Sequence, residues 1–174
     1  GVGANLSDHY TPRISHRVRG QISINELSRG PRLIGEVARW MATGRGALTF
    51  GDTSAMVFCR SREGLASPDL QLLFTPASYD SGRFGTLERD AGMTVAVCLA
   101  RPQSRGTVMA GSADPFAPAV IRPNYLSAPA DMQALLSGLE QTRRIFAAPA
   151  LAQHSAGETL PGAKVQARDE LEDF

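Results

Sequence analysis

Polar and apolar residues alternate with two different periods along the chain, and the periods predict its elements. Arg13 to Arg19 (RISHRVR) changes character at nearly every residue, which marks a half-buried strand. From Pro31 the period lengthens. Leu33, Ile34, Val37, Ala38 and Met41 fall on one helical face, with Pro31 suited to the first turn, Gly44 to the stop and Trp40 packing at the edge of the stripe. After the loop GRGALTFGD come four short β-rich runs of strand length: 55–59 (AMVFC), 70–75 (LQLLFT), 93–99 (MTVAVCL) and 107–110 (TVMA). A long helix is predicted from Ala130, where Met132, Leu135, Leu136, Leu139 and Phe146 share a stripe, Asp131 complements the N-terminus and Pro149 ends the run.

The connections carry information of their own. Residues 76–92 (PASYDSGRFGTLERDAG) are too polar for a core and too long for a hairpin loop, so this segment either carries function or is partly disordered. Residues 101–106 (RPQSRG) have turn chemistry, which makes the runs on either side antiparallel neighbours. The closing ARDELEDF reads as the first turns of a helix, acidic at its start, with Leu171 and Phe174 on one side and no C-cap before the end. Strands between two helices, without internal repeat, form an α+β layer whose sheet is covered mainly on one face.

Composition narrows the function classes. At 174 residues and 43% hydrophobic, the chain can bury one sizeable core. Its 18 basic and 17 acidic residues leave a net charge of +1 with no block of either sign, so nothing in the charge order points to nucleic acid or an anionic membrane. No apolar run is long enough to span a bilayer, and no signal-peptide layout opens the chain. Cys59 and Cys98 sit in apolar runs without metal-ligand spacing, as expected for two buried thiols in a reducing compartment, the cytoplasm.

Candidate chemistry is sparse. GVGANLSDH at the start has glycines at 1 and 3 only, short of a dinucleotide-binding fingerprint. Asp8 and His9 are a base beside an acid, yet neighbours on an extended chain point to opposite sides and no nucleophile is placed to use them. His16 belongs to the alternating strand and His154 to a loop. Glu63, Asp69, Asp80, Glu88 and Asp90 lie in turns, where solvated charge is the default. The stretches GRG (44–46) and SRG (104–106) read as a helix stop and a tight turn. Read on its residues alone, the chain carries no complete active site.

The order of motifs resembles the glucose/methanol/choline (GMC) oxidoreductases, FAD-dependent enzymes that oxidise alcohols. The resemblance runs through GVGANLSDH, FCRSREGLASPDLQLLFTPAS, PQSRGTVMAGSADPFAPAVIRPNYLSAPAD, RRIFAAPAL and PGAKVQARDELEDF, and is most specific from Ser104 to Asp131. It implies that residues 1–12 are a connector from a flavin-binding domain that precedes Gly1. Residues 13–174 would then be the substrate-binding domain, truncated at its C-terminus, with an antiparallel sheet of about six strands flanked by helices. The FAD, the missing flavin domain in cis and the family's catalytic His with its His or Asn partner would all lie outside these residues. No catalytic, cofactor-binding or metal role therefore passes to His9, His16 or His154, and the chain alone is expected to be inactive.

The same comparison bears on substrate. Choline-oxidising members carry a glutamate a few residues before the F-x-R-S-R element and a histidine in the strand before the TP turn; Ser54 and Leu73 stand at those places here. Neither supplies an ion pair or an aromatic cage for a quaternary ammonium. Thr53, Ser54, Leu73 and Phe74 are the expected substrate-lining residues, and a small uncharged alcohol is the expected substrate. The rival reading is a free-standing module that binds a small ligand or a protein without redox chemistry.

Overall fold

The computed structural model describes residues 1–51, 53–83 and 85–174. Its main sheet has five strands: β1 (Arg13–Val18), β2 (Ala55–Cys59), β3 (Leu70–Thr75), β4 (Gly92–Leu99) and β7 (Ser155–Leu160), in the order β2-β3-β4-β1-β7. Every neighbouring pair is antiparallel. β5 (Thr107–Met109) and β6 (Val120–Arg122) form a separate two-stranded ribbon. The helices are α1 (Ile24–Leu27), α2 (Gly30–Thr43), α3 (Pro129–Ala147), α4 (Pro149–Ala152) and α5 (Arg168–Glu172). This is the α+β arrangement expected, with the strands divided between a five-stranded sheet and a ribbon.

The core lies between α3 and one face of β3, β4 and β1. Period-two alternation puts Leu70 and Leu72 of β3, Val95, Val97 and Leu99 of β4 and Ile14 of β1 on that face, where they meet Leu135, Leu136, Leu139 and Phe146. β4 is buried along nearly its whole length because a strand flanks it on each side. Gly138 sets the distance between helix and sheet. A β-carbon there would lie 2.5 Å from Val97 Cγ1 and 3.2 Å from Leu70 Cδ1, so only a residue without one lets α3 settle this close.

Two expectations are corrected. The turn at 101–106 does not fold 107–109 back onto β4, whose neighbours are β3 and β1. The buried carboxylate of Asp131 captures the turn instead, accepting bonds from Gln103 N (2.9 Å), Ser104 N (2.8 Å) and Ser104 Oγ (2.6 Å), which leads the chain to the N-terminus of α3. β5 then pairs with β6 and with the chain start, where Leu6 bridges Gly106 and Val108 N donates to Gly3 O at 2.8 Å. The second correction concerns α2. It forms where predicted, with Pro31 in its first turn and Gly44 left-handed at its end, but buries no residue, and Trp40 is 48% exposed.

Residues 1–12 are tied into the same body. Val97 N donates to Pro12 O, Leu99 N to Tyr10 O, and His9 Nδ1 meets Leu99 O at 2.6 Å. Asp8 accepts the Tyr125 hydroxyl and the His9 amide, so the Asp8-His9 pair is engaged in holding the chain start.

His16 is the main titratable group against the core. Its ring stacks on Phe146 at 4.0 Å and its Nδ1 shares a 2.7 Å bond with Ser155 Oγ, while Nε2 is buried without a hydrogen-bond partner among the described residues. Glu158 lies 3.9 Å away but is claimed by Arg143 at 2.8 Å.

Two predictions follow from the core. Gly138→Ala gains helix propensity of about 1 kcal/mol, yet its methyl meets a β-branched side chain on a buried strand. A net loss of about 1–3 kcal/mol is expected from urea unfolding, and an unchanged or raised midpoint would contradict the close approach. For His16, burial holds the pKa below 6.5, opposed in part by Glu158 and reinforced by Arg143. The unfolded chain therefore takes up the proton first, so stability is full above about pH 6.5 and falls as pH drops below it. The urea midpoint should decline between about pH 7.5 and 5.5, and His16→Phe should flatten that decline.

Candidate substrate face

The side of the sheet opposite α3 is only partly covered. In antiparallel register Met56 lies beside Leu73 and Leu73 beside Ala96, while Phe58 lies beside Gln71 and Gln71 beside Cys98. These residues share the face that Leu70, Leu72 and Phe74 do not. Met56 and Phe58 are 59% and 61% exposed on the edge strand, and Gln71 Nε2 contacts Met56 Sδ at 3.2 Å. Towards the other end the face becomes polar and closed: Ser15 Oγ bonds Thr94 Oγ1 at 2.9 Å, and Thr94 Oγ1 donates to Ala77 O at 2.7 Å.

The four expected lining residues divide on this geometry. Ser54 is exposed where the chain enters β2, its amide donating to Phe74 O at 2.8 Å, with half-buried Thr53 before it. Leu73 is half-buried on the open face. Phe74 turns the other way and packs against the α3 core, because adjacent strand residues cannot share a side. Met56 and Phe58 were missed as face residues. The register that puts them beside Leu73 and Gln71 depends on which strand pairs with β2, and the run AMVFC does not encode its partner.

Exposed apolar side chains crowd this part of the chain. Along α2, Ile34, Val37, Trp40 and Met41 are 72%, 38%, 48% and 76% exposed, followed by Leu48 at 46% and Phe50 at 62% before β2. Such a stripe on a well-formed amphipathic helix is more contiguous than scattered surface hydrophobics.

What anchors α2 is polar. Asn25 of α1 is fully buried and donates to Ser78 O (2.7 Å) and Glu88 O (3.0 Å) while accepting from Ser78 N (2.9 Å). Arg29 Nη2 donates to Leu87 O at 2.5 Å, and Glu36 Oε2 accepts Ala47 N at 2.8 Å. Both ends of the 76–92 connection are thereby ordered; Phe84 within it, like Asp52 before β2, lies outside the described residues. Among the described residues no group of His, Cys, Asp and Glu has the geometry to hold a metal ion, both cysteines are free, and no helix is long and apolar enough to cross a membrane.

Residues 102–174 match the GMC oxidoreductase family. Over all of its length the chain is 34% identical to human mitochondrial choline dehydrogenase, covering 29% of that protein, and 29% identical to the chloroplastic fatty acid photodecarboxylase of Chlamydomonas reinhardtii, covering 31%. Over 98% of its length it is 32% identical to an alcohol dehydrogenase [acceptor] of Pseudomonas putida, again covering 31%. The chain thus spans about a third of the length of the curated relatives it matches. The fold of this chain recurs in formate oxidase of Aspergillus oryzae RIB40 (TM-score 0.83, 22% identity, 99% of this chain and 35% of that one). It recurs also in a fungal aryl-alcohol oxidase (TM-score 0.73, 17% identity, 99% and 36%).

Asn25→Ala tests the anchor of α2. It leaves the Ser78 amide and two carbonyls without a buried partner, at a cost of about 2–4 kcal/mol. Limited proteolysis should then cut within 76–92 well before the rest of the chain. Cleavage at the wild-type rate would mean that the clip does not order that segment.

Proposed function

We propose that this chain is the substrate-binding domain of an FAD-dependent alcohol oxidoreductase acting on CH–OH groups, with the flavin held by a separate domain of the same polypeptide in the cytoplasm. The observation that carries the reading is the uncovered apolar stretch from Leu33 to Phe58, on α2, the 48–50 segment and β2. Each large side chain buried there by a second domain contributes about 1.5–3 kcal/mol, which makes a flavin domain seated on this side a natural partner.

The opening glycines do not fit the FAD pyrophosphate. A phosphate cradle needs open backbone amides, whereas Gly3 (φ 80°) is pressed against the Val108 carbonyl, which a β-carbon at Gly3 would overlap. The opening glycines serve the chain start, and no step of flavin chemistry is assigned to this chain; alone it is inactive.

Substrate selection is assigned to Thr53, Ser54 and Leu73, with Phe74 supporting Leu73 from beneath. Ser54 and Leu73 are both neutral, and the apolar surface beside them comes from Met56 and Ala96. A small uncharged alcohol fits that lining, since among its described residues no side chain carries a charge to balance a quaternary ammonium. The relatives include choline dehydrogenases and an alcohol dehydrogenase, and Ser54 and Leu73 favour the second kind of substrate for this chain.

Visible absorbance tests the reading. The purified chain with added FAD should stay colourless after gel filtration, while a protein extended at both ends should be yellow, bleach anaerobically with a neutral primary alcohol and bleach far more slowly with choline. An extended protein that binds no flavin would overturn the redox assignment in favour of a free-standing binding module. Equal bleaching by choline would overturn the uncharged-substrate assignment alone.

A further inference from the structure

The chain is nearly neutral, but folding gathers arginines that are far apart in sequence. Arg60 and Arg62 follow β2, Arg101 follows β4 and Arg144 lies in the last turns of α3; all four are exposed. They line two adjoining grooves. One, about 570 Å³, runs between Arg60, Arg62 and Arg144. The other, about 180 Å³, shares Arg62 and Leu65 with it and continues to Arg101. Among the described residues none of the four makes an ion pair.

Among the described residues three carboxylates border the grooves, and two of them are occupied. Asp69 accepts Ser61 N at 2.7 Å and Ser61 Oγ at 2.6 Å. Asp131 is buried under its bonds to Gln103 and Ser104. Glu63 is the exposed acid, set against four exposed guanidinium groups. The backbone that carries the arginines is fixed, because Ser137 Oγ donates to Ser61 O at 2.6 Å and Gln141 Nε2 to Arg60 O at 3.0 Å. A docking surface on a fixed backbone loses little entropy when it is occupied.

We propose that this arginine edge docks an acidic segment of a partner protein. Arginine forks match carboxylates in bidentate geometry, and an extended acidic chain reaches from Arg144 past Arg62 to Arg101, where a single compact anion reaches one groove. Among the described residues neither groove is lined by an aromatic ring on which bases would stack. Neither presents, among the described residues, a large exposed apolar side chain to enter a bilayer. The edge is independent of the substrate face, and this assignment stands or falls without the flavin reading.

The test is fluorescence anisotropy of a labelled peptide with about six glutamates spaced by glycine and serine, against the chain at low salt. Wild type should bind, and raising salt to about 200 mM should weaken binding several-fold. The pair R62E/R144E should lose about tenfold, and R62Q/R144Q about threefold. The control pair R45E/R89E, exposed arginines outside both grooves with the same charge change, should lose less than about twofold. Equal losses in the groove and control pairs, or no binding by wild type, would overturn the site. Tighter binding of an oligothymidylate or of phosphatidylserine vesicles than of the peptide would overturn the assignment to an acidic protein. Circular dichroism of each variant confirms that lost binding is not lost folding.

Discussion

The close approach of α3 to the β3–β4–β1 face is the contact on which the rest of the molecule depends. A helix that meets a sheet at Gly138 brings Leu135, Leu136 and Leu139 into the furrows between Leu70, Leu72, Val95 and Val97, and a dry layer of that density holds together only if both surfaces are continuous. β4 supplies the continuity. Because it is hydrogen-bonded on both edges, it can be apolar on both faces, and its eight residues read as an almost unbroken hydrophobic run. The flanking strands β3 and β1 need only one buried face each, which leaves the second face of β3, with the exposed edge strand β2 beside it, for another purpose.

Where burial ends, side-chain hydrogen bonds take over the positioning. Burial by itself would raise the Asp131 carboxyl, but the amides of Gln103 and Ser104 and the Ser104 hydroxyl outweigh it and keep the group below the usual carboxylate value. An ionised acceptor of that kind holds a turn more firmly than neutral bonds do, and it decides that 107–109 leaves the main sheet. Asn25 plays the neutral counterpart at the other end, joining α1 to Ser78 and Glu88. Two polar residues thus direct the chain at the points where hydrophobic pattern is silent.

That division explains what could be read from the sequence. The helices at 30–43 and 129–147 and the strands at 13–18, 55–59, 70–75 and 92–99 were legible because each has its own period. The partner of 107–109 was not, since turn composition at 101–106 permits a hairpin and only the distant Asp131 redirects it. The exposure of α2 was illegible for a related reason: an amphipathic stripe announces that something covers it without saying whether the cover is in these residues. At the candidate face, alternation alone separates Leu73 from Phe74, whereas the neighbours Met56 and Phe58 emerge only with the register of β2 on β3. Of the motifs that carried the family resemblance, the block from Ser104 to Asp131 spans the captured turn, the ribbon and the first turn of α3, and the Asp131 carboxylate ties the turn to the helix.

Neutral overall charge proves a poor guide to surface character for the same geometric reason. A count of 18 basic and 17 acidic residues describes the chain, but Asp69, Asp131 and Glu158 spend their charge on internal donors, while Arg60, Arg62, Arg101 and Arg144 keep theirs at the surface. Acids are drawn inwards because backbone amides and hydroxyls can satisfy a carboxylate, whereas the guanidinium, with five donors and a long apolar stem, readily stays outside. Surface potential therefore follows how each carboxylate is satisfied, so a near-neutral chain can present an apolar side and a cationic edge at once.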